Sequence, residues 1–305
     1  MHIILLFISI GLPFLFFLLF PVLTKALLRD LRPIRILHYV ALALLGFALF
    51  FHEKDITAYF LVAENYFVFP LFILQLTYAA VFAIVTNNIA DIETDRISNT
   101  QRPLVSGTVA LQPYVVAGAL CLFISLLLSI LVSLTMFCGI LIISAGYFIY
   151  SCKPFRLKRF PFLAKLIIGF NSLSVSVCGF VLAGGRLQDF PLLWALFILL
   201  PLSLAANFID LKDTAGDKYG GVRTLPVILG EKKATHLIAF FTFCTYAMAV
   251  LIINIGWVYL LCAFMAVMHI YFLYRKPYNE KLIFLVYISA LFGLNIILLY
   301  GKYMV

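Results

Sequence analysis

The sequence predicts an all-α polytopic membrane protein. Three observations carry this. Hydrophobic residues make up 65% of the 305-residue chain and charged residues only 11%, and the mean hydropathy is +1.11. A soluble domain is about 45–50% apolar and about 25% charged. A chain of this make-up lacks the polar coat of a soluble fold, and it is too apolar for a disordered chain or a fibrous repeat. Lipid then restricts the architecture, because every backbone N–H and C=O must find its partner inside the protein. A barrel needs alternating segments of about ten residues. The apolar runs here do not alternate, so they are helices.

Ten runs follow in order. The first, 3–24, holds Pro13 and Pro21. It lacks the basic start and small-residue cleavage site of a signal peptide, and it reads as an uncleaved span, with an interfacial helix as the alternative. Runs 36–52 and 136–150 are short and need polar flanks or local thinning to span. The others, 66–86, 114–134, 161–184, 190–208, 234–253, 255–274 and 282–299, approach the roughly 20 residues of a helical span.

Charge gives these spans a direction. The net charge is +9, which in a soluble protein would point to nucleic acid. If the ten runs alternate across a bilayer, all Lys and Arg fall on one side except Lys54, Arg186 and Lys302. The positive-inside rule makes that side cytoplasmic, and no nucleic-acid partner is needed. The location read from this is a multi-pass protein of the cell inner membrane. The six cysteines are scattered without C-x-x-C spacing and read as small buried hydrophobes.

Acidic residues are scarce, and six of the 13 occupy two short stretches, each at the cytoplasmic end of a run. Asn87, Asp91 and Asp95 stand at i, i+4 and i+8. Asp210, Asp213 and Asp217 stand at i, i+3 and i+7, and Asn207 extends that line by a turn. Helical spacing stacks each set on one face. Stacked carboxylates repel, and desolvation near lipid adds to the cost. Two such stripes call for cations between them. Oxygen ligands suit hard divalent ions, and Mg²⁺ is usually held by one or two carboxylates plus substrate phosphates. The expected ligand is therefore a diphosphate bridged by Mg²⁺. The adjoining segments offer Arg102, Lys218 and Arg223, and a third basic segment, Tyr150 to Arg159, offers Lys158. Arg clamps phosphate through two donors, and Lys acts as a point charge. Stripe, basic loop and Gly recur in both halves, which reads as a weak internal repeat. Lys25, Arg29, Arg32 and Arg35 read as topology signals alone.

The motif Asn87-x-x-x-Asp91-x-x-x-Asp95 with Arg102-Pro-Leu-x-Ser-Gly107 resembles the first signature of the UbiA superfamily of intramembrane aromatic prenyltransferases. Asp210-x-x-Asp213-x-x-x-Asp217-Lys with Gly221-Val-Arg223-Thr-Leu-Pro resembles its second, and Tyr150-Ser-x-x-Pro-Phe-Arg-Leu-Lys158-Arg159 the stretch between them. One departure is Asn88, where many members carry Asp. The resemblance implies nine helices around a central cavity over residues 31–305. Residues 1–30 become an extra N-terminal segment. It implies Mg²⁺ as cofactor, held by Asn87, Asp91, Asp95, Asp210, Asp213 and Asp217. It implies a polyprenyl diphosphate donor and a lipophilic or aromatic acceptor, such as a quinone, chlorophyll-type or lipid precursor. Asn87, Asn207, Arg102, Lys158, Lys218 and Arg223 would bind the substrate, and Tyr150, Lys158, Arg102 and Arg223 would act in catalysis. The second signature leans towards the chlorophyll, homogentisate and geranylgeranylglyceryl phosphate branches.

Two other functions compete. A terpene cyclase on the same scaffold would share the diphosphate site. A cation-coupled transporter would also use paired carboxylates, but its acids sit near mid-membrane at broken helices, whereas these sit at helix ends. The Asp-Gly-x-x-Ala-Arg string of the phosphatidyl-transferring enzymes does not occur.

Overall fold

The structure is a computed structural model that describes residues 2–300 apart from 53–55, 57, 58, 60, 63 and 64. Lys54 and Lys302 of the charge count lie outside the described residues. In chain order the helices are α1 His2–Leu19, α2 Pro21–Asp30, α3 Pro33–Phe51, α4 Asn65–Ala90, α5 Ile92–Ser98, α6 Leu111–Val132, α7 Leu134–Ser151 and α8 Pro161–Leu182. Then come α9 Leu192–Leu211, α10 Thr214–Tyr219, α11 Leu225–Leu229, α12 Glu231–Ile253, α13 Gly256–Tyr274 and α14 Glu280–Tyr300. No strand occurs among the described residues.

Nine of these helices, α3, α4, α6–α9 and α12–α14, are long and apolar enough to cross a membrane. They account for nine of the ten runs. The two short runs gain polar flanking residues, so that α3 has 19 residues and α7 has 18. At 1.5 Å per residue each is roughly 27–29 Å long, close to the hydrocarbon thickness. The first run differs from a straight span. It bends by 119° at Phe20, between α1 and α2. Pro21 has no N–H to continue the helix through the break and is well placed to start a new one. α1 lies along α4, where Tyr78 donates to the Ser9 carbonyl at 2.7 Å. α2 buries Ala26 with Val85, Val109 and Tyr114.

The tightest helix pair is α3 with α8. A β-carbon at Gly46 would lie 1.7 Å from the Ser176 carbonyl oxygen, and one at Gly179 1.9 Å from that of Ala43. Only glycine lets the two backbones touch, the small-residue mode of packing in membranes. Ser176 Oγ donates to the Leu42 carbonyl at 2.9 Å, and Asn295 of α14 donates to that of Ala41 at 3.0 Å. A core of Ala41, Leu42, Leu45, Phe72, Ile140, Val175 and Ile198 surrounds this seam.

α9 is irregular. It widens to a π turn over Ile198–Leu202, which contains Pro201, and tightens to a 3₁₀ turn over Ala206–Leu211. Proline removes a helical donor, and Thr245 of α12 donates to the Pro201 carbonyl at 2.9 Å. The tightened end delivers Asp210 to the same end of the bundle as the end of α4.

Candidate active site

The two acidic motifs are built alike. α4 ends at Ala90, Asp91 has φ −108° and ψ 9°, and α5 then carries Asp95. α9 ends at Leu211, Asp213 has φ −95° and ψ 7°, and α10 then carries Asp217. In each, the later Asp donates its N–H to the carbonyl of the earlier one at 2.8 Å. The i, i+4 spacing read from the sequence is preserved, but across a break rather than along one straight helix. α5 packs on α10, with Gly220 close enough that a β-carbon there would meet Thr94 Oγ1 at 3.2 Å. The two motifs thus meet as one cap.

The first motif is saturated with positive charge. Asp91 is paired with Lys158 and with Arg156, the latter at 3.2 Å. Asp95, 3% exposed, is paired with Arg102 and accepts from Asn99 at 2.8 Å. Burial holds the Asp95 carboxyl above its usual range against the pull of Arg102, and it pushes the Lys158 ammonium down against Asp91. Arg102 is set by a relay. It donates to Asn88 Oδ1 at 2.8 Å, Asn88 donates to Tyr114 at 2.9 Å, and Tyr114 donates to Asp30 of α2 at 2.6 Å. Asn88 is therefore an orienting group.

The second motif is short of positive charge. Asp210 is paired with Lys165 of α8 at 2.9 Å. Among the described residues Asp213 and Asp217 have no ion-pair partner. The Asp217 carboxyl is pushed up to about 7 by burial first, and then by Asp210 and Asp213. Asp213 stands at an exposed position, and partial desolvation within the cap still raises its carboxyl. Such acids are stabilised by an added cation. Among the described residues no three His, Cys, Asp or Glu side chains converge into a complete metal cage. An all-oxygen set that supplies only one or two carboxylates per ion fits Mg²⁺ shared with phosphate oxygens, and it does not fit a zinc-type cage.

Beneath the cap lies a cavity of about 160 Å³ lined by Arg32, Arg35, Tyr39, Asn87, Tyr150 and Tyr287, among others. Asn87 accepts from Ser151 at 3.3 Å. Arg32 is strongly desolvated. Burial lowers it to about 10, helped by Arg35 and Arg102. A half-buried arginine next to two others, facing an aspartate cap, suits an anion.

The structure brings together Asn87, Asp91, Asp95, Arg102, Tyr150, Lys158, Asp210, Asp213 and Asp217. It does not bring in three others. Asn207 is buried and spends its amide on the Leu204 carbonyl at 2.7 Å. The Lys218 and Arg223 side chains are exposed, and Arg223 is held through its N–H on the Arg159 carbonyl at 3.3 Å. Sequence reasoning missed four cations. Arg32 and Arg35 are not mere topology signals, because they line the cavity. They share a face with Tyr39 at helical spacing, which was the available signal. Lys165 sits inside an apolar run, where an ionisable residue marks function by default. Arg156 was visible only as one of several loop cations.

Comparison with known proteins agrees with this picture. A profile of the UbiA prenyltransferase family matches residues 56–296. A digeranylgeranylglyceryl phosphate synthase of Methanococcoides burtonii is 30% identical over 193 residues, covering 59% of this chain and 65% of the synthase. That of Pyrococcus horikoshii is 28% identical over 170 residues, covering 56% and 60% respectively. The match thus spans less than two thirds of the length of these relatives. Among solved structures, a UbiA homologue from Archaeoglobus fulgidus bound to DMAPP and Mg²⁺ superposes with a TM-score of 0.67 at 15% identity, over 90% of this chain and 98% of the other. A structure described for digeranylgeranylglyceryl phosphate synthase gives 0.57 at 24% identity, over 91% and 97%. The folds are alike.

Proposed function

This chain belongs to the UbiA prenyltransferase family, and from that premise we propose that it moves an isoprenyl group from a polyprenyl diphosphate to a lipophilic acceptor within the membrane. The observation that carries the reading is the joined cap over a desolvated arginine cavity. Its acids split into a cation-paired set and a cation-poor set.

The chemistry follows from the charges. The allylic C–O bond breaks, its electron pair leaves with the diphosphate, and an allylic cation remains. A nucleophilic atom of the acceptor bonds to that carbon and loses its proton. Negative charge grows on the departing diphosphate. Arg102, Arg32, Arg35 and Lys158 are placed to stabilise it, electrostatic catalysis of the kind that is usually the largest single term. Lys158 and Arg156 hold Asp91 until a diphosphate competes for them. Tyr150 faces the cavity with its ring and steadies a cation there. The apolar walls exclude water that would quench it. Asp213 and Asp217, with Asp91, Asp95, Asp210 and Asn87, would hold Mg²⁺, which would supply positive charge to neutralise the diphosphate.

The relatives are named for prenylation of a glyceryl phosphate lipid, so a phosphorylated glycerol lipid is the first acceptor to try. The Lys and Arg bias supports a cytoplasmic cap. The test is release of diphosphate from geranylgeranyl diphosphate by purified protein with Mg²⁺. Release and a prenylated product only when acceptor is present support transfer. Release with a cyclic hydrocarbon and no acceptor makes the protein a cyclase. No release with any donor refutes both. Labelling of a single cysteine introduced at Phe155 from outside intact cells would overturn the orientation.

A further inference from the structure

The cavity under the cap does not end at its floor. A second cavity of about 290 Å³ lies between α9, α12, α13 and α14, and Tyr287 lines both. Its other walls come from the parts of these helices farther from the cap, from Thr242 to Ile253, Val258 to His269 and Ser289 to Ile297. It adjoins the first cavity at Tyr287, on the side away from the cap. Tyr287 separates them in a ring of aromatic side chains. Its hydroxyl is 2.8 Å from His38 Nδ1, and its ring packs on His38 and Phe284.

The chamber exists because a side chain is missing. Gly293 faces it from the interior of α14, and a β-carbon built there meets nothing within 4 Å. Ser289 and Ala290 keep the same face low. Of the polar side chains that line it, Thr242 and His269 each have an atom without a hydrogen-bond partner among the described residues. Thr242 is 1% exposed and its Oγ1 is unpartnered; His269 is 2% exposed and its Nε2 is unpartnered. Buried polar atoms are nearly always satisfied, so two exceptions in the wall of one cavity call for a partner inside it. His269 Nδ1 lies 3.4 Å from the Tyr246 hydroxyl. With Nδ1 accepting, Nε2 carries a proton. An isoprenoid chain offers both things this chamber asks for, hydrocarbon bulk and double bonds whose π density accepts weakly from N–H or O–H. A saturated acyl chain offers only the first.

We propose that this chamber receives the distal isoprene units of the prenyl donor, which enter past Tyr287, and that Gly293 sets the preference for long donors. The proposal rests on the prenyl-transfer reading above. A donor with its diphosphate under the cap extends away from the cap, and the chamber lies on that side, beyond Tyr287. Short donors end in the first cavity and never reach it.

The test compares dimethylallyl, geranyl, farnesyl and geranylgeranyl diphosphate as donors for wild type, Gly293→Ala and Gly293→Phe. A pocket discriminates about 10- to 200-fold per missing or added methylene-sized group. Gly293→Phe should therefore lower kcat/KM for geranylgeranyl diphosphate by about 10-fold or more while dimethylallyl diphosphate is used as before. Gly293→Ala, whose β-carbon meets no protein atom within 4 Å, takes only a methyl group's volume from the chamber and should lower kcat/KM for geranylgeranyl diphosphate less than Gly293→Phe does. Equal loss with all four donors would mean structural damage, and an unchanged profile would mean the chamber is not used; either overturns the proposal. Retention of tritiated geranylgeraniol by the detergent-solubilised protein provides a readout independent of turnover. Wild type should retain it better than Gly293→Phe does, and better than it retains the fully saturated alcohol. If no donor is turned over but this pattern holds, the transfer reading fails and the chamber stands. If transfer proceeds and retention is equal in all cases, the chamber assignment fails alone.

Discussion

Replacing Asn88 by Asp changes one NH₂ to an oxygen, and the structure says it will destabilise the protein. Tyr114 has one hydroxyl proton, and it goes to Asp30 at 2.6 Å. Its oxygen accepts from Asn88 Nδ2 at 2.9 Å. A carboxylate at 88 has no proton to give, so two oxygens face each other where a hydrogen bond stood. The site is 3% exposed at Asn88 and fully buried at Tyr114, so water does not repair the loss. Leaving a buried group unsatisfied costs about 1–3 kcal/mol. The added charge gains something from Arg102, now 2.8 Å from Asn88 Oδ1, but that arginine already serves Asp95, and desolvating the new charge offsets the gain. The net expectation is a loss of about 1–3 kcal/mol, read as earlier melting in detergent. The double substitution Asp30→Asn with Asn88→Asp reverses the relay and should recover most of the loss, as a positive coupling in a double-mutant cycle. Melting of the single variant at or above wild type, or a double variant no better than the single, would refute the relay.

Three further outcomes are expected. The Mg²⁺ concentration for half-maximal activity should rise as pH falls below about 7, because the proton held by Asp217 competes with the metal; Asp217→Asn should weaken Mg²⁺ binding and flatten that pH dependence, and a steep dependence in the variant would clear Asp217 of the role. Arg102→Lys should lower kcat by about 10- to 100-fold, since Lys cannot serve Asn88, Asp95 and a diphosphate with one planar fork, whereas the exposed Arg223 should tolerate Lys within about 3-fold; equal effects in donor kinetics would contradict the separation. Gly46→Ala should cost about 3 kcal/mol or more, because its β-carbon overlaps backbone at 1.7 Å, while Gly293→Ala, with open space, should stabilise by up to about 1 kcal/mol through helix propensity; comparative melting decides, and similar Tm values would falsify the packing argument.

Much of this protein follows from local rules that act on sequence alone. Lipid compels helices, so the apolar runs gave α3–α4, α6–α9 and α12–α14 directly. Spacing put Asp91 with Asp95 and Asp213 with Asp217, and the i+4 hydrogen bonds keep those pairs in register. Tertiary structure decided what those groups touch. Asp91 is spaced to face a metal, and only the fold shows that Lys158 and Arg156, from a loop over sixty residues away, pair with it as well. Arg32 and Arg35 looked like topology signals, and Lys165 was one cation of the overall bias, because a positive charge at a helix end satisfies the positive-inside rule whichever way it points. Only the packing of α3 and α8 turns Arg32 and Arg35 into the cavity and Lys165 onto Asp210. Asn207 and Arg223 show the converse. Their spacing is right, but one is turned to a backbone carbonyl and the other to solvent. The bend at Phe20 lay beyond hydropathy, which counts apolar residues and carries no direction. Periodicity fixes which residues share a face, because that depends on a repeat within one helix. Which face meets which depends on contacts between helices far apart in sequence, and those exist only once the bundle has formed.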